Sequence, residues 1–268
     1  MTVEGSTGRL VVEDGTGLHY RVDGVRDGPP VLFLNAIGTD LRLWDGQVAA
    51  LADRCCVVRF DQRGHGRSDA PPGPYTVERL ARDALAVLDG LGLVRVSVCG
   101  LALGGLVALC LAIYQSERID RVVFANTAAC FVPSPVWEPD IAEAGTLARA
   151  GYDDRLLAAY LSPVFREREP GVTARVREMV AGTSLNGLLA SFAALHDADL
   201  RYLASTVLVP SLAIGGELDE IVPPALVEDL HAAIVPSELT ILPGVGHLTN
   251  LEWPELFNRR LVEHVLGR

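Results

Sequence analysis

The stretch Val94-Arg95-Val96-Ser97-Val98-Cys99-Gly100-Leu101-Ala102-Leu103-Gly104-Gly105 decides the fold. An apolar run, Val94–Cys99, leads into Gly100-Leu101-Ala102-Leu103-Gly104, and an apolar helical pattern, Gly104–Tyr114, follows. Strand, sharp turn and helix in that order, with glycines two residues either side of a central position, form the G-x-S-x-G nucleophile elbow. The turn drives its central residue to a strained, positive φ, and the glycines let neighbouring backbone pass closely. The helix N-terminus behind it favours developing negative charge. Here the centre is Ala102. Alanine has no hydroxyl and attacks no carbonyl.

Working outward, strand patterns alternate with helical ones. Arg9–Glu13 and Leu18–Asp23 read as a hairpin joined by Asp14-Gly15-Thr16-Gly17. Pro30–Asn35, Cys56–Phe60, Arg121–Ala125, Ser211–Ile214 and Leu239–Leu242 read as further strands, mostly apolar runs of the kind buried in parallel sheets. Between them, Thr76–Leu91 sets Val77, Leu80, Ala81, Ala84, Leu85, Val87, Leu88 and Leu91 on one helical face, with Thr76 as N-cap and Gly92 as stop. The class is α/β: a mostly parallel sheet flanked by helices. From Ala128 to Ser205 the alternation fails. That segment shows helical patterns, punctuating prolines and no convincing strand. The expected organisation is a core of residues 1–127 and 206–268 with a helical lid at 128–205; a separate domain is the alternative, and the segment is small for one.

Two segments complete a chemical constellation with the elbow. Gly215-Gly216-Glu217-Leu218-Asp219 follows one strand and Gly244-Val245-Gly246-His247 follows the next, so a carboxylate and an imidazole emerge at the same sheet edge. The order of nucleophile position, acid and histidine makes Ala102, Asp219 and His247 the catalytic candidates, with Asp219 fixing one His247 tautomer. Glu217 and Glu220 flank Asp219 as competing carboxylates. His65, in Asp61-Gln62-Arg63-Gly64-His65-Gly66-Arg67-Ser68, reads as part of a tight structural loop, a catalytic role being the alternative. An oxyanion hole needs two N–H groups. Leu103 supplies one and Ile37, in Asn35-Ala36-Ile37-Gly38, the other; otherwise that loop is a plain connection with Gly38 at its turn.

These features, with Asn35–Asp45, Asp61–Ser68, Ala70–Thr76, Ala125–Ala129, Ala193–Arg201 and Gly246–Glu252, resemble the 3-oxoadipate enol-lactonase branch of the α/β-hydrolases from about Gly28 onward. The resemblance implies lactone-ring opening by Ser, Asp and His without a cofactor. It also implies basic residues just after Ala129 and three residues after Trp137, where this chain has Cys130 and Asp140. A carboxylate-bearing substrate would want arginine there. A neutral, more apolar ester or lactone is therefore expected, with Cys130, Trp137, Asp140 and Tyr160 as candidate substrate-binding residues. For the two aromatics, plain packing is the alternative.

Ala102 leaves three readings open. The protein is a serine hydrolase whose serine has been deliberately exchanged for alanine, so that this chain is inactive in acyl transfer. Alternatively the alanine is natural, and His247 with Asp219 serves as general base for cyclisation, elimination or rearrangement. The third is a binding protein that keeps the pocket without chemistry. A net charge of −11 argues against nucleic acid or anionic membrane as partner, and the longest apolar runs are too interrupted to span a bilayer. The polar Met1–Gly8 segment predicts no secretory signal. Five scattered cysteines suggest reduced thiols in a cytoplasmic protein, with Cys99 and Cys110 in the core. No Cys/His spacing fits zinc. A homo-oligomer is left open.

Overall fold

The structure, a computed structural model, describes residues 5–132 and 149–267. Eight strands form one sheet: β1 (Ser6–Val11), β2 (Gly17–Gly24), β3 (Pro30–Leu34), β4 (Cys56–Phe60), β5 (Val96–Leu101), β6 (Ile119–Ala125), β7 (Ser211–Gly216) and β8 (Ser237–Leu242). Their spatial order is β1-β2-β4-β3-β5-β6-β7-β8. The first two pairings, β1 with β2 and β2 with β4, are antiparallel. Every later pairing is parallel. All eight strands correspond to sequence-predicted ones, with ends displaced by a few residues, where turn and ladder geometry, rather than apolar patterning, sets the limit.

The described helices are α1 (Asp45–Leu51), α2 (Val77–Gly90), α3 (Leu103–Tyr114), α4 (Arg149–Tyr160), α5 (Pro163–Arg168), α6 (Pro170–Gly182), α7 (Leu185–Asp197), α8 (Arg201–Ala204), α9 (Pro224–Ala233), α10 (Thr249–Glu252) and α11 (Pro254–Val265). Helix α2 begins as its sequence dictates, with the Thr76 side chain accepting from the Arg79 N–H, and it buries Val77, Leu80, Ala84, Val87 and Leu88. Helix α3 is different. Every residue from Leu103 to Ala112 is buried, because β5 and α3 lie at the centre of the molecule. A helix apolar on all sides is the expected sequence signature of such a position. Between β6 and β7 the described residues form helices α4–α8, apart from one isolated bridge between Cys130 and Asp199. Among the described residues, no helix is long and apolar enough to cross a membrane.

The parallel strands β3, β5, β6 and β7 point their C-terminal ends the same way. The loops that follow them, 35–40, 102, 126–132 and 217–223, therefore gather along one edge of the sheet, as ligand-binding loops of open α/β sheets do.

Candidate active site

Ala102 occupies the single-residue turn between β5 and α3, at φ 51° and ψ −112°. Non-glycine residues rarely adopt a positive φ, and holding one there costs roughly 1–3 kcal/mol. The surrounding structure imposes it. The Ala102 N–H donates to the Ala125 carbonyl at 3.0 Å, and the Ala102 carbonyl accepts from Leu106 N–H at 3.0 Å and from the Thr127 hydroxyl at 2.8 Å. The two glycines are required by close approach: a Cβ on Gly100 would lie 2.1 Å from the Gly104 carbonyl oxygen, and one on Gly104 would lie 2.2 Å from that of Leu34. So the elbow geometry is complete in everything except its hydroxyl.

His247 and Asp219 meet each other in the fold. The His247 Nδ1–H donates to Asp219 Oδ2 at 2.8 Å, and both side chains are buried. The other Asp219 oxygen, Oδ1, accepts the N–H groups of Ile221 and Val222, each at 2.9 Å. Oδ2 takes a second donor, Asn126 Nδ2, at 2.8 Å. With its lone pairs so occupied, Asp219 is fixed as an acceptor, which places the imidazole proton on Nδ1 and leaves Nε2 as the basic nitrogen. Among the described residues, Nε2 has no hydrogen-bond partner.

Ala102 and His247 line one cavity of about 300 Å³ together with Ile37, Phe131, Arg155, Leu156, Ala158, Ala159, Tyr160, Phe192, Leu195, Glu220 and Ile221. A larger surface groove of about 650 Å³ runs past Val164, Phe165 and Trp253 and contains none of the catalytic candidates. The smaller cavity is the candidate site, because Ala102 and His247 both line it.

Ile37 also lines that cavity, and the loop around it is pinned on three sides. The Ala36 carbonyl accepts from the Thr39 N–H and hydroxyl, at 3.2 and 2.8 Å. The Ile37 carbonyl accepts from the Tyr160 hydroxyl, and the Gly38 N–H donates to His65 Nε2 at 2.9 Å. The Gly104 N–H reaches the Asn35 carbonyl at 3.1 Å, which holds this loop against the start of α3. Among the described residues, the Ile37 and Leu103 N–H groups have no hydrogen-bond partner. Two such N–H groups beside a strained turn suit a carbonyl oxygen that gains negative charge.

Residues 29–254 match the model of the alpha/beta hydrolase fold family. The chain belongs to that family. It is 34% identical over 262 residues to 3-oxoadipate enol-lactonase 2 of Acinetobacter baylyi, covering 97% of this chain and 96% of that one. The crystal structure of the enol-lactonase from Burkholderia xenovorans LB400 superposes with a TM-score of 0.92 at 38% identity, covering 97% of this chain and all of that one (100%). A hydrolase from Pseudomonas aeruginosa PA01 superposes at 0.93, also at 38% identity, over 98% and 99% of the two chains. This α/β-hydrolase is thus a relative of enol-lactonases.

The other sequence candidates are distributed unevenly. Tyr160 lines the cavity, with its ring stacked on that of His247 at 5.3 Å between centroids. Cys130 does not line it, and its thiol points at the Val132 carbonyl, 3.6 Å away. Trp137 and Asp140 lie outside the described residues. Of the carboxylates flanking Asp219, Glu217 accepts from the Gly244 N–H and braces the His247 loop, while Glu220 is exposed at the cavity. His65 is buried and structural in its bonding, donating from Nδ1 to the Arg63 carbonyl at 3.0 Å. Burial holds its pKa down at about 4, so it stays neutral and accepts from Gly38.

Sequence reading missed four contributors. Asn126 sits at φ 43°, an orientation that asparagine tolerates better than most residues, and it hands one hydrogen bond to Asp219 while taking another from the Thr249 hydroxyl at 2.6 Å. Its signal was available: an asparagine directly after β6, the strand between those carrying Ala102 and Asp219. Arg155, Phe131 and Phe192 line the cavity from the helical insertion and its approach, where nothing in the local pattern distinguishes a lining residue from a packing one.

Proposed function

We propose that this chain has an acyl-transfer site for a small, neutral ester or lactone, and that Ala102 leaves it without a nucleophile and therefore without hydrolytic turnover. The observation that carries the reading is the strained Ala102 elbow opening into the same cavity as His247, whose Nδ1 is held by Asp219. A bound carbonyl lies between the Ile37 and Leu103 N–H groups on one side and His247 Nε2 on the other. In a serine version, the serine Oγ attacks the carbonyl carbon, its proton passes to Nε2, and the oxyanion is held by the two N–H groups. Neutrality of the ligand is supported by a mostly apolar lining whose charged members are one cation, Arg155, and one anion, Glu220. A second reading is favoured by the undiminished support of Asp219, which takes four hydrogen bonds: His247 works directly as general base in a cyclisation, elimination or rearrangement, with an enolate held by the same N–H pair.

The test is Ala102→Ser. The variant is expected to hydrolyse activated esters on the order of a millionfold faster than the alanine chain and to be labelled at the new serine by a fluorophosphonate. A folded variant that neither hydrolyses nor labels removes the acyl-transfer reading and leaves the general-base one. Calorimetric titration of the alanine chain, where no turnover intrudes, tests ligand charge. A neutral lactone is expected to bind more tightly than a dicarboxylate lactone of similar size; the opposite order overturns the charge argument.

A further inference from the structure

Tyr160 ends helix α4 in the helical insertion, yet it touches both functional loops of the α/β core. Its ring lies on His247, with the planes only 21° apart. Its hydroxyl donates to the Ile37 carbonyl. Its own carbonyl accepts the Leu248 N–H at 3.0 Å, one residue past His247. Two residues further on, Ser162 donates its N–H and hydroxyl to the buried Glu252 carboxylate, at 2.9 and 2.5 Å, and the same carboxylate takes the Gly246 N–H at 3.1 Å. The segment Tyr160–Ser162 is therefore stitched to the chain on both sides of His247.

The other end of Tyr160 acts on a peptide plane. The Ile37 carbonyl and the Gly38 N–H belong to one rigid unit. Tyr160 holds its oxygen and His65 Nε2 holds its N–H. Gly38 sits at φ +71°, and glycine offers little resistance to turning such a plane. These two hydrogen bonds, one from each side, oppose that rotation and hold the backbone that continues from Ile37, whose own N–H sits in the preceding peptide with the Ala36 carbonyl held by Thr39.

We propose that Tyr160 is a positioning residue that sets the His247 ring and the Ile37–Gly38 peptide together, so that the site is assembled only when the helical insertion is docked on the His247 loop. The proposal rests on reading His247 and the Ile37 N–H as the working groups of an acyl site. The Tyr160 hydroxyl serves the loop, not the ligand: its proton is committed to Ile37.

Tyr160→Phe keeps the ring and deletes the hydroxyl; Tyr160→Leu deletes both. In the Ala102→Ser version with p-nitrophenyl acetate, Tyr160→Phe is expected to lower kcat on the order of tenfold with little change in KM, short of the roughly hundredfold or greater loss that follows removal of an oxyanion donor outright. Tyr160→Leu is expected to lower kcat further. In the unaltered Ala102 chain, the downfield Nδ1 proton resonance of His247 should persist in Tyr160→Phe and broaden away in Tyr160→Leu, because the ring no longer fixes the imidazole. That NMR readout needs no turnover. If the serine version is inert, the acyl-site reading has failed, and the resonance still decides the positioning role. A packing role alone predicts an unchanged kcat in Tyr160→Phe and a resonance retained in Tyr160→Leu, and that pair of results overturns the proposal.

Discussion

Two loops of this molecule each carry a histidine that is 1% exposed, and they use it in opposite ways. In the loop after β4, His65 donates from Nδ1 to a backbone carbonyl and accepts at Nε2 from a backbone N–H. Both nitrogens are spent on the chain, and the ring acts as a strut between the Arg63 and Gly38 peptides. In the loop after β8, His247 donates from Nδ1 to a carboxylate, lines a cavity and, among the described residues, has no partner on Nε2. Burial does not separate them. What separates them is the second nitrogen, which is closed in one ring and open in the other, and the charge on the partner of the first. A carboxylate stabilises an imidazolium that forms during reaction; a peptide carbonyl does so only weakly.

The contrast predicts its own largest effect. In the Ala102→Ser version, His247→Gln should lower ester turnover on the order of a millionfold, the size of loss seen when the histidine of another Ser–His–Asp site is removed. The same exchange at His65 should leave His247, Asp219 and the new serine in place and cost far less, through the setting of the Ile37–Gly38 peptide alone. Steady-state rates of the two variants measure the difference directly. Equal losses would mean that His65 takes part in the chemistry and that the second-nitrogen criterion fails.

How far the sequence reveals this depends on the kind of contact involved. The elbow was legible because its residues are adjacent: Gly100, Ala102 and Gly104 share one turn whose steric demands leave few alternatives. Asp219 and His247 were legible because parallel strands bring their C-terminal ends to one edge, so position after a strand implies position in space. Asn126 follows the same rule but was read only as part of a resemblance, since an asparagine after a strand usually serves a turn. Tyr160, Glu252 and Ser162 belong to a different class. Their partners lie 123 and 90 residues away in the chain, and helical periodicity fixes which face is apolar without saying what that face meets. Arg155 shows the consequence. The resemblance points to cations only at positions 130 and 140, whereas Arg155, from α4, lines the cavity.

The smallest effect concerns stability, and it isolates the strut. His65 is neutral in the folded chain, with a pKa near 4, while in the unfolded chain it titrates near the ordinary value of 6.5. Between those two values the unfolded state holds more protons, so acidification draws the equilibrium towards unfolding. The His65 contribution is therefore full above about pH 6.5, declines as pH falls through the window, and is exhausted below about pH 4, the total loss being at most about 3 kcal/mol. Other groups titrate in the same range, so the parent curve alone does not report on this ring. Glutamine at position 65 keeps an acceptor and a donor but takes up no proton. Urea unfolding of the parent and His65→Gln, measured from about pH 7 to about pH 4.5, cancels the shared groups in the difference. The parent should be the more stable at neutral pH, and its advantage should shrink steadily as the pH falls. A gap that stays constant across the window would mean that His65 is protonated with equal ease in both states, and the picture of a neutral ring accepting the Gly38 N–H would be wrong.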